Sequence, residues 1–180
     1  MFEIALITLI SLCCISMLWF TLKTGISPMP SSGRACRTIL KASEQASEGA
    51  MIDLGSGWGG LLFALARKYP DRPVIGYELS WLPWIYSQAY RVIFRLKNVC
   101  IYRKDFLTAQ LPQAALLICY LHPKGMQALQ KRLSSDGQAQ NSMLISSTFA
   151  LPDHQPAETL RLDDLYNTPI YLYRLFNPKR

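Results

Sequence analysis

The segment MIDLGSGWGG, residues 51 to 60, sets one carboxylate, Asp53, two positions ahead of glycines at 55, 57, 59 and 60. Glycines spaced in this way let a backbone turn sharply and approach a ligand closely. Two cofactor chemistries use such a loop. Gly55, Gly57 and Gly60 satisfy the spacing G-x-G-x-x-G that faces a dinucleotide pyrophosphate, while Asp53, Gly55, Gly57 and Gly59 satisfy D-x-G-x-G-x-G, which suits the cationic cofactor S-adenosylmethionine (SAM). Asp53 separates the two. A carboxylate about 4 Å from a pyrophosphate costs about 4 kcal/mol at an effective dielectric near 20, whereas the same charge is favourable beside the ammonium and sulfonium of SAM.

Two more carboxylates fall at matching places. Glu78 closes the run VIGYE, where an acidic residue accepts both hydroxyls of a ribose, and Asp105 follows VCIYR, where it can accept an adenine amino group. With their neighbours Ser56, Leu79 and Phe106, the residues Asp53, Gly55, Gly57, Gly59, Glu78 and Asp105 make up the candidate cofactor-binding set. Tyr120 and His122 follow the run ALLICY, at the lip where an acceptor approaches, and are the candidate catalytic residues. Tyr120 would orient an acceptor nitrogen and His122 would take its proton, although a histidine before Pro123 also reads as the residue that starts a helix. Trp81, Trp84, Tyr86 and Tyr90 are expected either to line an adenine slot or to pack on the sheet. The five cysteines show no C-x-x-C pair and there are two histidines, so neither a metal site nor a disulfide framework is indicated. Buried, reduced thiols are expected instead.

Positioning these residues takes an alternation of strands and helices. Apolar runs predict strands at 50 to 54, 73 to 78, 99 to 103, 115 to 120 and 142 to 149, with helix-period segments near 32 to 46, 60 to 69, 82 to 96 and 124 to 134. Such alternation implies an α/β fold with five parallel strands wrapped on both faces. The tail differs. ETLRLDDL and PIYLYRLF are joined by Asn167, Thr168 and Pro169, too short for a crossover helix, so a C-terminal antiparallel hairpin is predicted. No internal repeat or low-complexity segment is present.

The first residues stand outside this core. From Phe2 to Leu22, FEIALITLISLCCISMLWFTL holds a single charge, Glu3, and as a helix would extend roughly 31 Å, the thickness of a bilayer's hydrocarbon. Glu3, where a cleaved leader would carry positive charge, favours a retained transmembrane helix. Lys23, Arg34, Arg37 and Lys41 follow it, which puts the remainder on the cytoplasmic side of a single-pass membrane protein. The predicted organisation is an anchor over 1–23, a linker and helix over 24–48, and a catalytic domain over 49–180. Arg91, Arg95, Lys97, Arg103 and Lys104 form an ordinary solvated basic face or, beside such an anchor, suit anionic lipid headgroups better than nucleic acid.

At these residues the chain resembles the class I SAM-dependent methyltransferases, whose Rossmann-like sheet has five parallel strands and a terminal hairpin. A narrower resemblance follows from MIDLGSGWGG, GYELSWLPWIYSQ, LLICYLHPKGMQALQKRL and SSTFALP in that order. They are similar to the blocks of a membrane-anchored protein-lysine methyltransferase family. Its known eukaryotic members act on mitochondrial inner-membrane proteins, including the c subunit of ATP synthase and the adenine nucleotide translocase. SPMPSSGRACRTIL stands where that family has its pre-methyltransferase motif. The chain departs from the family at Trp58 and in the order ELSWLPW. The resemblance implies SAM as cofactor, a lysine of a membrane protein as acceptor, and Phe149 as a residue of the acceptor channel. Methyl transfer to a lipid, quinone or other small hydrophobic acceptor is the alternative, as is a noncatalytic SAM-binding membrane module. The absence of an N-P-P-Y type motif after ALLICY weighs against the amino-methylating nucleic-acid enzymes.

Overall fold

The computed structural model describes residues 32–135 and 141–175, with residues 1, 3, 4, 6–8 and 11 near the N-terminus. The span predicted over 2–22 and the linker after it lie for the most part outside the described residues. Among the described residues, no helix is long and apolar enough to cross a membrane.

The chain runs through α1 (Gly33–Ala42), a short 3-10 turn (Ser43–Gln45), β1 (Met51–Leu54), α2 (Gly60–Lys68), β2 (Val74–Tyr77), α3 (Trp81–Ile93) and β3 (Val99–Tyr102). It continues through β4 (Leu116–Cys119), α4 (Pro123–Ser135), β5 (Ser142–Ser147), β6 (Glu158–Arg161) and β7 (Pro169–Leu175). The seven strands form one sheet in the order β3-β2-β1-β4-β5-β7-β6. The first five are parallel, while β7 lies antiparallel between β5 and β6. The order reverses direction beside β1, between β2 and β4, and the carboxyl end of that crevice is where open α/β sheets bind ligands.

Strands β1 and β4 are buried at every position because helices cover both faces. Side chains alternate between two apolar clusters. Met51, Leu116 and Ile118 join Ile39 of α1 with Leu62 and Leu65 of α2. Ile52, Leu54, Leu117 and Cys119 join Met126 and Leu129 of α4. By this period-two alternation Asp53 shares the face of Met51, the side of α1 and α2.

Element ends differ from the predicted ones for identifiable reasons. The strand expected to reach Phe149 stops at Ser147 because Thr148 takes φ 71 and the Phe149 N–H turns back to the Ser147 carbonyl. In the hairpin, residues 162–165 leave the strand. There the Leu162 N–H bonds the Thr168 carbonyl, Thr168 N–H bonds Asp164 Oδ1 and Asn167 takes φ 47. The helix after Glu78 ends at Ile93, short of residue 96, where Arg95 adopts φ 51. The three thiols among the described residues are free, yet not all are buried as expected. Cys119 is buried, Cys36 half-buried, and Cys100 exposed because β3 is the sheet's edge and its alternate residues face out.

Candidate active site

A cavity of about 390 Å³ opens at the carboxyl ends of β1, β2, β3 and β4. Its walls are the glycine loop after β1, the turn Tyr77 to Ser80, the turn Lys104 to Leu107, the stretch Ile118 to His122, and Ile39 reaching over from α1. The volume falls within the ~300–1,000 Å³ that small-molecule sites occupy.

Asp53 is 6% exposed and faces this cavity. No described residue donates a hydrogen bond to its carboxyl group or pairs with it. Burial, and secondarily the charge of Glu78, push its pKa from the ordinary 3.8 up to about 7. A buried acid aimed into a cavity with no partner of its own either holds a proton or meets a cation there.

Glu78 is held differently. Its Oε2 accepts the Gly57 N–H at 2.8 Å and its Oε1 accepts the Ser80 N–H at 2.6 Å, so one carboxylate ties the glycine loop to the start of α3. Glu78 lines the cavity, and each of its oxygens has acceptor capacity beyond the one bond it makes. Asp105 closes the far wall, its Oδ1 accepting the Leu107 N–H at 2.9 Å while its carbonyl accepts from Ala109. Leu79 and Phe106 line the same space. Three carboxyl groups from the ends of β1, β2 and β3 thus converge on one cavity.

The glycines divide the work. Gly55 and Gly57 line the cavity, whereas Gly59 is set back as the first residue of the α2 turn at φ 78. A Cβ on Gly59 would stand 2.5 Å from Phe63 Cε2 and 3.0 Å from Ser87 Oγ, while one on Gly57 would meet nothing within 4 Å. Gly59→Ala is therefore expected to cost about 2–3 kcal/mol, and Gly57→Ala about 1 kcal/mol from its left-handed backbone alone; urea unfolding distinguishes them. Ser56 lines the cavity as well, but its side chain is turned inward. Its hydroxyl is buried without a partner, against the α-carbon of Gly76, and its N–H bonds the Tyr77 carbonyl. Gly76 itself went unnoticed in the sequence, although a Cβ there would lie 2.8 Å from Ser56 Oγ. A glycine inside the strand run VIGYE marks such a close approach.

A family model for the ANTKMT methyltransferase domain matches residues 53 to 158, starting at Asp53. This chain belongs to the ANTKMT methyltransferase domain family. Solved structures with the same fold include an RNA methyltransferase from Salinibacter ruber in complex with S-adenosyl-L-homocysteine, at TM-score 0.73 and 20% identity over 84% of this chain and 98% of that one. A precorrin-6y C5,15-methyltransferase from Geobacter metallireducens has TM-score 0.61 and 12% identity over 79% and 87% of the two chains. A SAM-dependent methyltransferase from Aquifex aeolicus has TM-score 0.61 and 12% identity over 79% and 89%. No curated protein matches the chain significantly in sequence. SAM is the cofactor of this domain, and the residues present fit it: the Asp53 carboxyl, buried at the cavity with no partner among the described residues, suits a cationic ligand.

In the ANTKMT domain, Tyr120 sits just past the end of β4, 38% exposed and on the cavity wall. His122 lines the wall too, but its Nδ1 accepts the Gly125 N–H at 2.9 Å and so caps α4. In a neutral imidazole that bond leaves the proton on Nε2, so no ring nitrogen is left to accept another. Cys119 also lines the cavity, its thiol pushed up to about 12 by burial and therefore no nucleophile. Phe149 packs against the cluster beneath α4 and is no part of the cavity wall.

The aromatic residues of α3 are likewise absent from the wall. Trp84 donates its Nε1–H to the Ile101 carbonyl at 3.2 Å, and Tyr90 stacks on Phe63 with centroids 4.3 Å apart. Trp58 joins Tyr77, Phe106 and Tyr120 as an aromatic residue of the ANTKMT site's wall. It lines the cavity and meets Tyr86 edge-on at 5.4 Å, which packs the departing loop residue against α3. Among the described residues no cluster of ligating side chains could hold a metal.

Proposed function

We propose that this chain is a protein-lysine N-methyltransferase whose acceptor is a membrane protein, carried beside that target by an anchor over residues 2–22. The observation that carries the reading is the match to the ANTKMT domain from Asp53 to residue 158. The apolar stretch FEIALITLISLCCISMLWFTL, with basic residues after it, supports the anchor and a cytoplasmic catalytic domain.

When bound, SAM supplies an already activated methyl group for in-line displacement. Catalysis by the chain is then positioning and exclusion of water. Asp53 is placed for the cofactor's cationic end, Glu78 for the ribose and Asp105 for the adenine. Tyr120, whose hydroxyl has no partner among the described residues, orients the acceptor nitrogen. A lysine with an ordinary pKa near 10.4 must arrive uncharged, and partial desolvation at this lip drives its proton to solvent. His122 serves as the cap of α4. His122→Ala is accordingly expected to lose about 1 kcal/mol of stability and to leave the shape of the pH–rate profile unchanged.

Full-length protein incubated with methyl-labelled SAM and membranes from cells lacking it should label a lysine of a membrane protein. Label in the organic extract instead would assign a lipid or quinone acceptor and overturn the lysine reading. Deleting residues 1–24 should preserve SAM binding yet lower methylation of the membrane target by about 100-fold, since the anchor's contribution is effective concentration. Undiminished methylation of membranes by the truncated protein would remove the anchor from the account.

A further inference from the structure

The outward face of α3 carries no charge. Its exposed residues are Trp81, Ile85, Tyr86, Ala89, Val92 and Ile93, a spacing that follows one stripe of a helix. Val92 and Ile93 are 66% and 71% exposed, and Phe94 just beyond them is 53% exposed. A helix on a sheet ordinarily turns its polar side outward. Here the polar side points in: Ser87 bonds the Gly57 carbonyl at 3.3 Å, Gln88 the Ile101 carbonyl at 3.1 Å and Arg91 the Val99 carbonyl at 3.3 Å.

Cations rim this stripe. The Arg67 guanidinium lies 5.5 Å and 5.7 Å from the ring centres of Tyr90 and Phe94, and that of Arg103 lies 3.7 Å from Trp81. Arg95, Lys97 and Lys104 are exposed beside them. From Leu79 to Lys104 the chain has five lysines and arginines and not one aspartate or glutamate. The partner of such a face must be apolar at its centre, anionic at its rim and continuous over the ~20 Å of a 13-residue helix.

We propose that α3 seats on an anionic lipid surface, lying in the interface plane with Ile85, Ile93 and Phe94 among the acyl chains and Arg67, Arg95, Lys97 and Arg103 at the headgroups. This seat requires neither the anchor nor a lysine acceptor. It also orients the catalytic cavity: Ser80 and Lys104 line that cavity and adjoin Trp81 and Arg103, so docking brings the cavity's rim to the lipid surface.

The test uses full-length protein reconstituted into vesicles of brominated phosphatidylcholine, with or without phosphatidylserine. The Trp81 signal is taken as the emission lost in Trp81→Phe. That signal should be quenched at least threefold more in the vesicles containing phosphatidylserine. Ile93→Glu, and separately Arg95→Glu with Lys97→Glu, should return it to the phosphatidylcholine level while SAM binding, which reports folding, stays unchanged. Equal quenching in both vesicles, or none in either, would overturn the proposal. So would self-association in detergent that Ile93→Glu abolishes, which would assign the face to a second copy. Shielding of Trp81 from acrylamide without any lipid would assign it to the chain's own N-terminal segment.

Discussion

Asp53→Asn is expected to abolish SAM binding, by about 100-fold or more, while making the ligand-free protein more stable at pH 8. The two effects have one cause. Buried and facing Glu78, the Asp53 carboxyl titrates near 7 in the folded protein against an ordinary 3.8. A group whose folded pKa is raised contributes stability that is fully present below its unfolded pKa and is lost as pH rises through the folded one. The ligand-free wild type should therefore lose stability between about pH 4 and pH 8, by up to about 4 kcal/mol if the whole shift is expressed. The asparagine variant escapes this loss because it cannot ionise. Denaturant unfolding at pH 5.5 and pH 8 reads the difference directly. A variant less stable than wild type at pH 8 would show that Asp53 is satisfied within the protein and not by the cofactor.

Glu78→Gln is expected to lower stability by about 2–3 kcal/mol and SAM affinity by at least about tenfold. Both oxygens of Glu78 accept backbone N–H groups, from Gly57 and Ser80. An amide offers one oxygen and one N–H₂, so one of the two bonds becomes a donor facing a donor, and a buried donor left unmade costs about 1–3 kcal/mol. The loop that Glu78 holds is also the loop that faces the cofactor, so loosening it weakens binding twice over. A second readout separates this from general damage. Losing the negative charge of Glu78 removes one of the two causes that raise the Asp53 pKa, so the pH at which SAM affinity rises should move below its wild-type position. Isothermal titrations from pH 5.5 to pH 8 would show the displaced midpoint. An unmoved midpoint would mean that Glu78 and Asp53 do not sense each other.

The sequence carried much of this site because strand ends and acidic residues coincide in it. Apolar runs put Asp53, Glu78 and Asp105 at or just past the ends of β1, β2 and β3, and the fold converges them because parallel neighbours align their carboxyl ends. The terminal hairpin was legible for a similar reason: three residues between two apolar runs leave no room to cross over. Side-chain direction was not legible. Whether the hydroxyl of Ser56 faces ligand or Gly76, and whether Nδ1 of His122 meets an acceptor or the Gly125 N–H, depends on backbone turns that residue types do not specify. The aromatic residues of α3 looked like a cofactor slot because rings suit both roles; the register of the helix turns them toward Phe63, Ile101 and the surface instead. The outward apolar stripe was not legible either, since only the bonds of Ser87, Gln88 and Arg91 to β3 and the glycine loop show that the polar side of this helix lies inside.

The central claim is that the buried Asp53 carboxyl is completed by the cofactor's cation. Calorimetric titration of the full chain with SAM at pH 6.5, in two buffers of different ionisation enthalpy, counts the protons exchanged on binding. With a free pKa of about 7 that the cation draws down, binding should release more than half a proton per molecule, and Asp53→Asn should abolish any such release. Tight SAM binding by the wild type with no proton released at this pH would contradict the account.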